Sequence, residues 1–93
     1  MSIHIKKLKG DYFEVIVLKD QVTTHIVRIS DEAHSKFTNN RLTKEQFLKK
    51  SFLFLLQRES NTEILSEFNI EIILEYFPEF AKIGSLGWID VSV

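Results

Sequence analysis

The longest apolar-rich stretch, Leu42 to Ser60 (LTKEQFLKKSFLFLLQRES), leaves the chain the least choice of structure. Thr43 followed three residues later by Gln46 is a capping box. The threonine hydroxyl takes a free amide at the helix start, and the glutamine side chain reaches back to the cap. Good helix formers follow, with neither Gly nor Pro before the polar exit Gln57-Arg58-Glu59-Ser60. The pattern predicts a central helix at about 44–58, with the rest of the chain assembled around it.

The faces of this helix carry more information. At about 100° per residue, Leu48, Phe52, Leu55 and Leu56 form a core-facing stripe, and Gln46, Lys49, Lys50 and Gln57 gather roughly opposite. Phe47 and Phe54 make a second stripe beside Lys50 and Arg58, set off from the first by Ser51, and Leu53 falls in the polar arc. Two readings stand. Either the chain covers both sides of its own helix, or Phe47, Lys50, Leu53, Phe54 and Arg58 form an interaction surface for a partner or for a second copy in a homodimer.

Ninety-three residues suit one small domain, which buries about 60–65% of its unfolded surface and needs no covalent staples. The 44% hydrophobic and 27% charged composition is that of a globular chain, and the lack of cysteine removes disulfide and thiolate chemistry. No apolar run approaches the roughly 18 residues of a membrane span, and MSIHIKKLKG is too short and too mixed for a signal peptide. A cytoplasmic protein without membrane contact is the expectation. Charge is unevenly spread. Residues 1–58 hold eleven Lys/Arg and six Asp/Glu, a balance of +5, and residues 59–93 hold one and seven, a balance of −6. The halves either neutralise each other within one domain or present a basic and an acidic face to different partners.

From Ile3 to Ile29 the chain reads as a three-stranded antiparallel meander. Ile3-His4-Ile5-Lys6 alternates, Lys9-Gly10-Asp11 supplies a turn, and Tyr12 to Leu18 is nearly all apolar, as a central strand would be. Lys19-Asp20-Gln21 turns the chain into Val22 to Ile29, whose two faces are too similar in polarity to say which meets the helices. Ser30-Asp31-Glu32 opens a short helix that Thr38-Asn39-Asn40 stops. Beyond the central helix, Ser60 to Glu63 offers a second capping box and a short helix through Glu67. Asn69 caps a further amphipathic helix carrying Ile70, Ile73, Leu74 and Phe77; Pro78 either ends it or starts one last turn, with Gly84 as a stop. Residues 88–93 alternate with period two, either as a fourth strand or as a loose terminus.

No motif for chemistry emerges. His4, His25 and His34 lack paired spacing, so strand-face or surface histidines are expected and no metal site is. Glu63, Glu67, Glu71, Glu75 and Glu79 recur every four residues, but the run crosses the Asn69 cap and reaches Pro78, so it reads as a solvated acidic surface. Neither a phosphate-cradling glycine loop nor an activated nucleophile is present, and neither an enzyme nor a cofactor is expected.

Two resemblances add to this reading. Ser51-Phe52-Leu53-Phe54-Leu55-Leu56-Gln57-Arg58-Glu59, followed by Tyr76-Phe77-Pro78-Glu79-Phe80, resembles the pattern of a family of short prokaryotic proteins of unknown function. The likeness covers roughly Val22 to Phe80 and carries no function with it. Secondly, Thr24 to Glu32 with Leu42 to Phe47 is similar, in its strand–helix–helix order, to ribbon-helix-helix DNA-binding proteins. That likeness implies strands of two subunits paired in the major groove, Thr24, Ile26 and Arg28, or else His25 and Val27, facing DNA, and Thr43 and Lys44 at the phosphate backbone. Here the first helix is short and the strand already has a hairpin partner upstream.

The expectation is therefore an α+β domain: an N-terminal three-stranded meander, then four or five helices around the 44–58 helix. Its most favoured role is a non-catalytic protein-interaction or regulatory module. The alternative is a DNA-binding transcriptional regulator or antitoxin of ribbon-helix-helix type.

Overall fold

Alternation in the strands decides which side of the sheet is covered. In the computed structural model, which describes residues 1–82, β1 (Ser2–Lys7), β2 (Tyr12–Leu18) and β3 (Val22–Arg28) form the antiparallel meander. The register sets Ile5 opposite Val15 and Val15 opposite His25, and Phe13 opposite Val27. Opposed residues share a face, and this one is buried: Phe13, Val15, Val17 and Val27 are fully enclosed, with His25 among them. Glu14, Ile16, Leu18 and Ile26 lie half-buried on the other face. The β1–β2 turn holds Gly10 at φ +67°, where a side chain would be strained.

α1 (Asp31–Thr38) starts at Ser30, whose hydroxyl accepts from the Ala33 amide, and ends at Asn39 in the left-handed region, which asparagine tolerates. α2 (Lys44–Leu56) begins at the expected capping box: the Gln46 amide donates to Thr43 Oγ1 (3.1 Å) and the Thr43 amide to Gln46 Oε1 (2.9 Å). Lys44 Nζ then lies 2.7 Å from Asp31 and 3.6 Å from Asp11, and Arg28 lies 3.6 Å from Asp11. This cluster ties together the starts of both helices, the β1–β2 turn and the end of β3.

The C-terminal third departs from expectation. Residues 60–63 make only half of a capping box: the Ser60 amide and hydroxyl both donate to Glu63 Oε1, while the Glu63 amide donates to the Ser60 carbonyl, and the turn does not propagate into a helix. Asn61 is buried instead, and its Nδ2 donates to the Gln21 carbonyl (2.9 Å) and Thr23 Oγ1 (3.0 Å), pinning the loop to the sheet. The chain then runs extended as β4 (Glu67–Asn69), parallel to β3, with Val27 opposite Phe68. The result is a mixed sheet in the order β1-β2-β3-β4.

The expected amphipathic helix shrinks to a 3₁₀ turn (Ile70–Ile72) and the single-turn α3 (Ile73–Tyr76). Phe77 is already extended at φ −136°, because the ring of Pro78 disfavours helical backbone in the residue before it. A last 3₁₀ segment, Pro78–Lys82, follows. Three α-helices, one of them a single turn, replace the four or five expected among the described residues. A strand at 88–93 falls outside those residues.

The second aromatic stripe of α2 is core. Phe47 is fully buried and Phe54 nearly so. The cover is Phe80, itself fully buried, whose ring lies 5.4 Å from Phe37, 5.8 Å from Phe47 and 5.4 Å from Phe54. Phe77 meets Phe54 edge-on at 5.9 Å. The chain thus covers two sides of its own central helix, and Phe47 and Phe54 are not available to a partner. The two halves of the family-like pattern, around Ser51–Glu59 and Tyr76–Phe80, are the parts that pack on each other. Arg58 joins them too: its guanidinium stacks 3.7 Å from the Phe54 ring centre, donates to the Phe54 carbonyl and lies 3.5 Å from Glu79.

Candidate functional site

Side chains singled out from the sequence mostly serve the fold. Phe47 and Phe54 are core, Arg58 is stacked and ion-paired, and Lys50 and Leu53 are half-buried on α2. The interaction surface expected from these five is therefore corrected: its aromatic centre lies inside the molecule. Of the residues carried over from ribbon-helix-helix proteins, Thr43 is the α2 cap, and Lys44 and Arg28 are held by Asp31 and Asp11. Thr24 is exposed on the open sheet face. β3 is an interior strand, bonded to β2 on one side and to Ser66–Asn69 on the other, with the Ile26 amide donating to the Ser66 carbonyl at 2.8 Å. An intersubunit ribbon needs a free strand edge, which β3 lacks over Ile26–Arg28.

His25, the buried histidine, is likewise structural. Its Nδ1 lies 2.7 Å from the Leu65 carbonyl, which only accepts, so Nδ1 carries the ring hydrogen. In the neutral ring Nε2 then accepts from the Thr23 hydroxyl at 2.9 Å, and that hydroxyl accepts from Asn61. The chain of bonds fastens the 60–66 loop along the first half of β3 and the turn before it. No group of three or more potential metal ligands comes together among the described residues.

A concave feature of the surface lies elsewhere, at the C-terminal end of α2. A cleft of about 240 Å³ opens there, floored by Leu55 of α2, Ile64, Phe68 of β4 and Ile73. Glu59, Glu63, Leu65, Ile72, Tyr76 and Phe77 complete its lining. Tyr76 (65% exposed) and Leu65 (46%) are two of the few large apolar side chains open to solvent, and both stand on this rim. Two others, Tyr12 and Val22, sit at opposite ends of the outer sheet face and make no continuous patch with each other.

Electrostatics distinguish the cleft further. Partial burial, with Glu63 nearby as a lesser cause, holds the Glu59 carboxyl above the usual carboxylate range. Glu63 is oriented by its cap contacts to the Ser60 amide and hydroxyl. Among the described residues the nearby cations pair elsewhere, Arg58 with Glu79 and Lys36 with Glu71, and neither Glu59 nor Glu63 has an ion pair. Sequence reading passed over this site because its lining comes from four separate segments. The one local signal was the pair of glutamates four residues apart at the helix exit, which looks like any solvated acidic surface.

No helix among the described residues is long and apolar enough to cross a membrane. Comparison of the chain with protein-family models, with curated proteins and with solved structures gives no match.

Proposed function

We propose that the chain is a non-catalytic protein-interaction module that docks its partner in the cleft between the end of α2 and α3. The observation that carries this reading is the joining of exposed Tyr76 and Leu65 to an apolar hollow that the other described residues leave open. Pockets for whole small molecules run from about 300 to 1,000 Å³. At about 240 Å³ the cleft is the size for one or two protruding side chains. Exposed aromatic and aliphatic residues around such a hollow are the usual anchors of a protein contact. The DNA-binding alternative is weakened by the ion pairs that occupy Arg28 and Lys44.

Tagged wild type and a Leu65→Ser/Tyr76→Ser double variant, passed through native lysate and read by mass spectrometry, test the proposal. Both substitutions are at exposed positions, so circular dichroism should show an unchanged fold. Partners retained by wild type and lost by the variant support the cleft. Equal retention by both forms sinks it, and co-purifying nucleic acid would revive the alternative.

A further inference from the structure

Resting on that reading, we propose that the cleft selects a peptide segment in which an apolar side chain stands next to lysine or arginine. The apolar side chain would enter between Phe68 and Ile72, and the cation would sit between Glu59 and Glu63 at the mouth. Three independent features ask for positive charge at this place.

The first is that two carboxylates stand at the rim of an apolar hollow with no ion pair among the described residues. A carboxylate partly removed from water gains most from an arriving cation, because the loss of hydration is already incurred. The second is the helix itself. α2 runs thirteen residues and ends here, so the negative end of its dipole points into the same region, and its last turn holds no basic residue. Arg58, the nearest cation in sequence, is committed to the Phe54 ring and carbonyl and to Glu79. The third is preorganisation: Glu63 is already fixed by its bonds to Ser60, so a partner need not order it. The chain itself supplies no such segment from residues 83–93, which contain no Lys or Arg and one Asp.

The test uses the full chain, ¹⁵N-labelled, titrated with capped hexapeptides that keep one leucine and one phenylalanine and vary the flanking pair. Lysine, glutamine and glutamate versions are compared at low and high salt by the amide shifts of Leu65 and Tyr76. The lysine peptide should bind about five- to tenfold more tightly than the glutamine peptide at low salt, with the gap closing at high salt. The glutamate peptide should be weakest. In a Glu59→Gln/Glu63→Gln variant, which keeps a cap acceptor at position 63, the lysine and glutamine peptides should bind alike. Equal binding of all three peptides to wild type would overturn the charge inference and leave the cleft as a docking site. Absence of shifts at Leu65 and Tyr76 with every peptide would overturn both readings.

Discussion

The two ends of α2 are treated in opposite ways. Each carries charge that the helix dipole disfavours: Lys44 at the positive end, Glu59 and Glu63 beyond the negative end. At the N-terminal end the conflict is answered. Asp31 and Asp11 hold the ammonium, and a capping box satisfies the amides. At the C-terminal end it is left standing, beside an apolar hollow and two exposed hydrophobic side chains. The contrast between a resolved and an unresolved conflict is what directs the proposed docking role to the C-terminal end of α2.

Both ends of α2 belong to one cooperative unit as long as the helix keeps its aromatic cover, and Phe80 is the centre of that cover. Phe80→Ala should cost about 3–5 kcal/mol, because the ring is fully enclosed by Phe37, Phe47 and Phe54. Denaturant melts would measure it. A loss under about 1 kcal/mol would mean that the 78–82 segment is not the cover of α2.

Asn61→Ala comes next, at about 1–3 kcal/mol, since the Gln21 carbonyl and Thr23 hydroxyl lose their donor in a buried place. Hydrogen exchange should quicken in β4 and the 60–66 loop more than in the β1–β2 pair. Uniform quickening would contradict the role of Asn61 as a local pin.

Thr43→Ala tests the satisfied end alone and should cost about 0.5–2 kcal/mol. An unchanged midpoint in the same melts would place the helix start elsewhere.

The smallest effects are the sharpest on the comparison, because two carboxylates should respond to pH with opposite sign. Lys44, by hydrogen bond and charge, holds the Asp31 carboxyl below its usual value. Its stabilising contribution is therefore present at neutral pH and fades as pH falls through that lowered pKa. Asp31→Asn should be slightly less stable at neutral pH, with the difference shrinking in acid and in salt. The Glu59 carboxyl is held high, so the folded state binds its proton more tightly than the unfolded one. Stability is lost as pH rises through the interval between the two values, and Glu59→Gln should be slightly more stable than wild type at neutral pH. That advantage should vanish below the unfolded carboxylate pKa. Melting temperatures across pH 3–7 would show both trends, and parallel slopes for the two variants would contradict the contrast.

What could be read from the sequence divides along the same line. The meander, the Gly10 turn, the Ser30 cap and the Thr43–Gln46 box are local, each written in a few adjacent residues, and the structure has all of them. The buried sheet face was not readable, because His25 and Thr23 share it with Val27 and blur its polarity. β4 was missed for a different reason. The Ser60–Glu63 box points to a helix through Glu67, whereas the pairing with β3, the Ile26 amide bond to the Ser66 carbonyl and the His25 bond to the Leu65 carbonyl hold the segment extended. The expected exposure of Phe47 and Phe54 failed similarly, since nothing near them in sequence announces Phe80. The cleft is assembled by those long-range contacts and could not be seen before them.

The parallel pairing of β4 on β3 has a consequence for the order of events in folding. Val27 and Phe68 pair across a stretch of chain that contains both α1 and α2. Closing that loop sacrifices far more chain freedom than zipping the β1–β2 and β2–β3 hairpins. We expect the hairpins and α2 to be formed in the transition state, and β4 to join after it and to be among the first elements to open. The cleft is then the last piece of the molecule to come into existence. A ligand seated there draws the whole population toward the completed sheet, so occupancy would be felt as slower opening at β4 as well as an occupied surface.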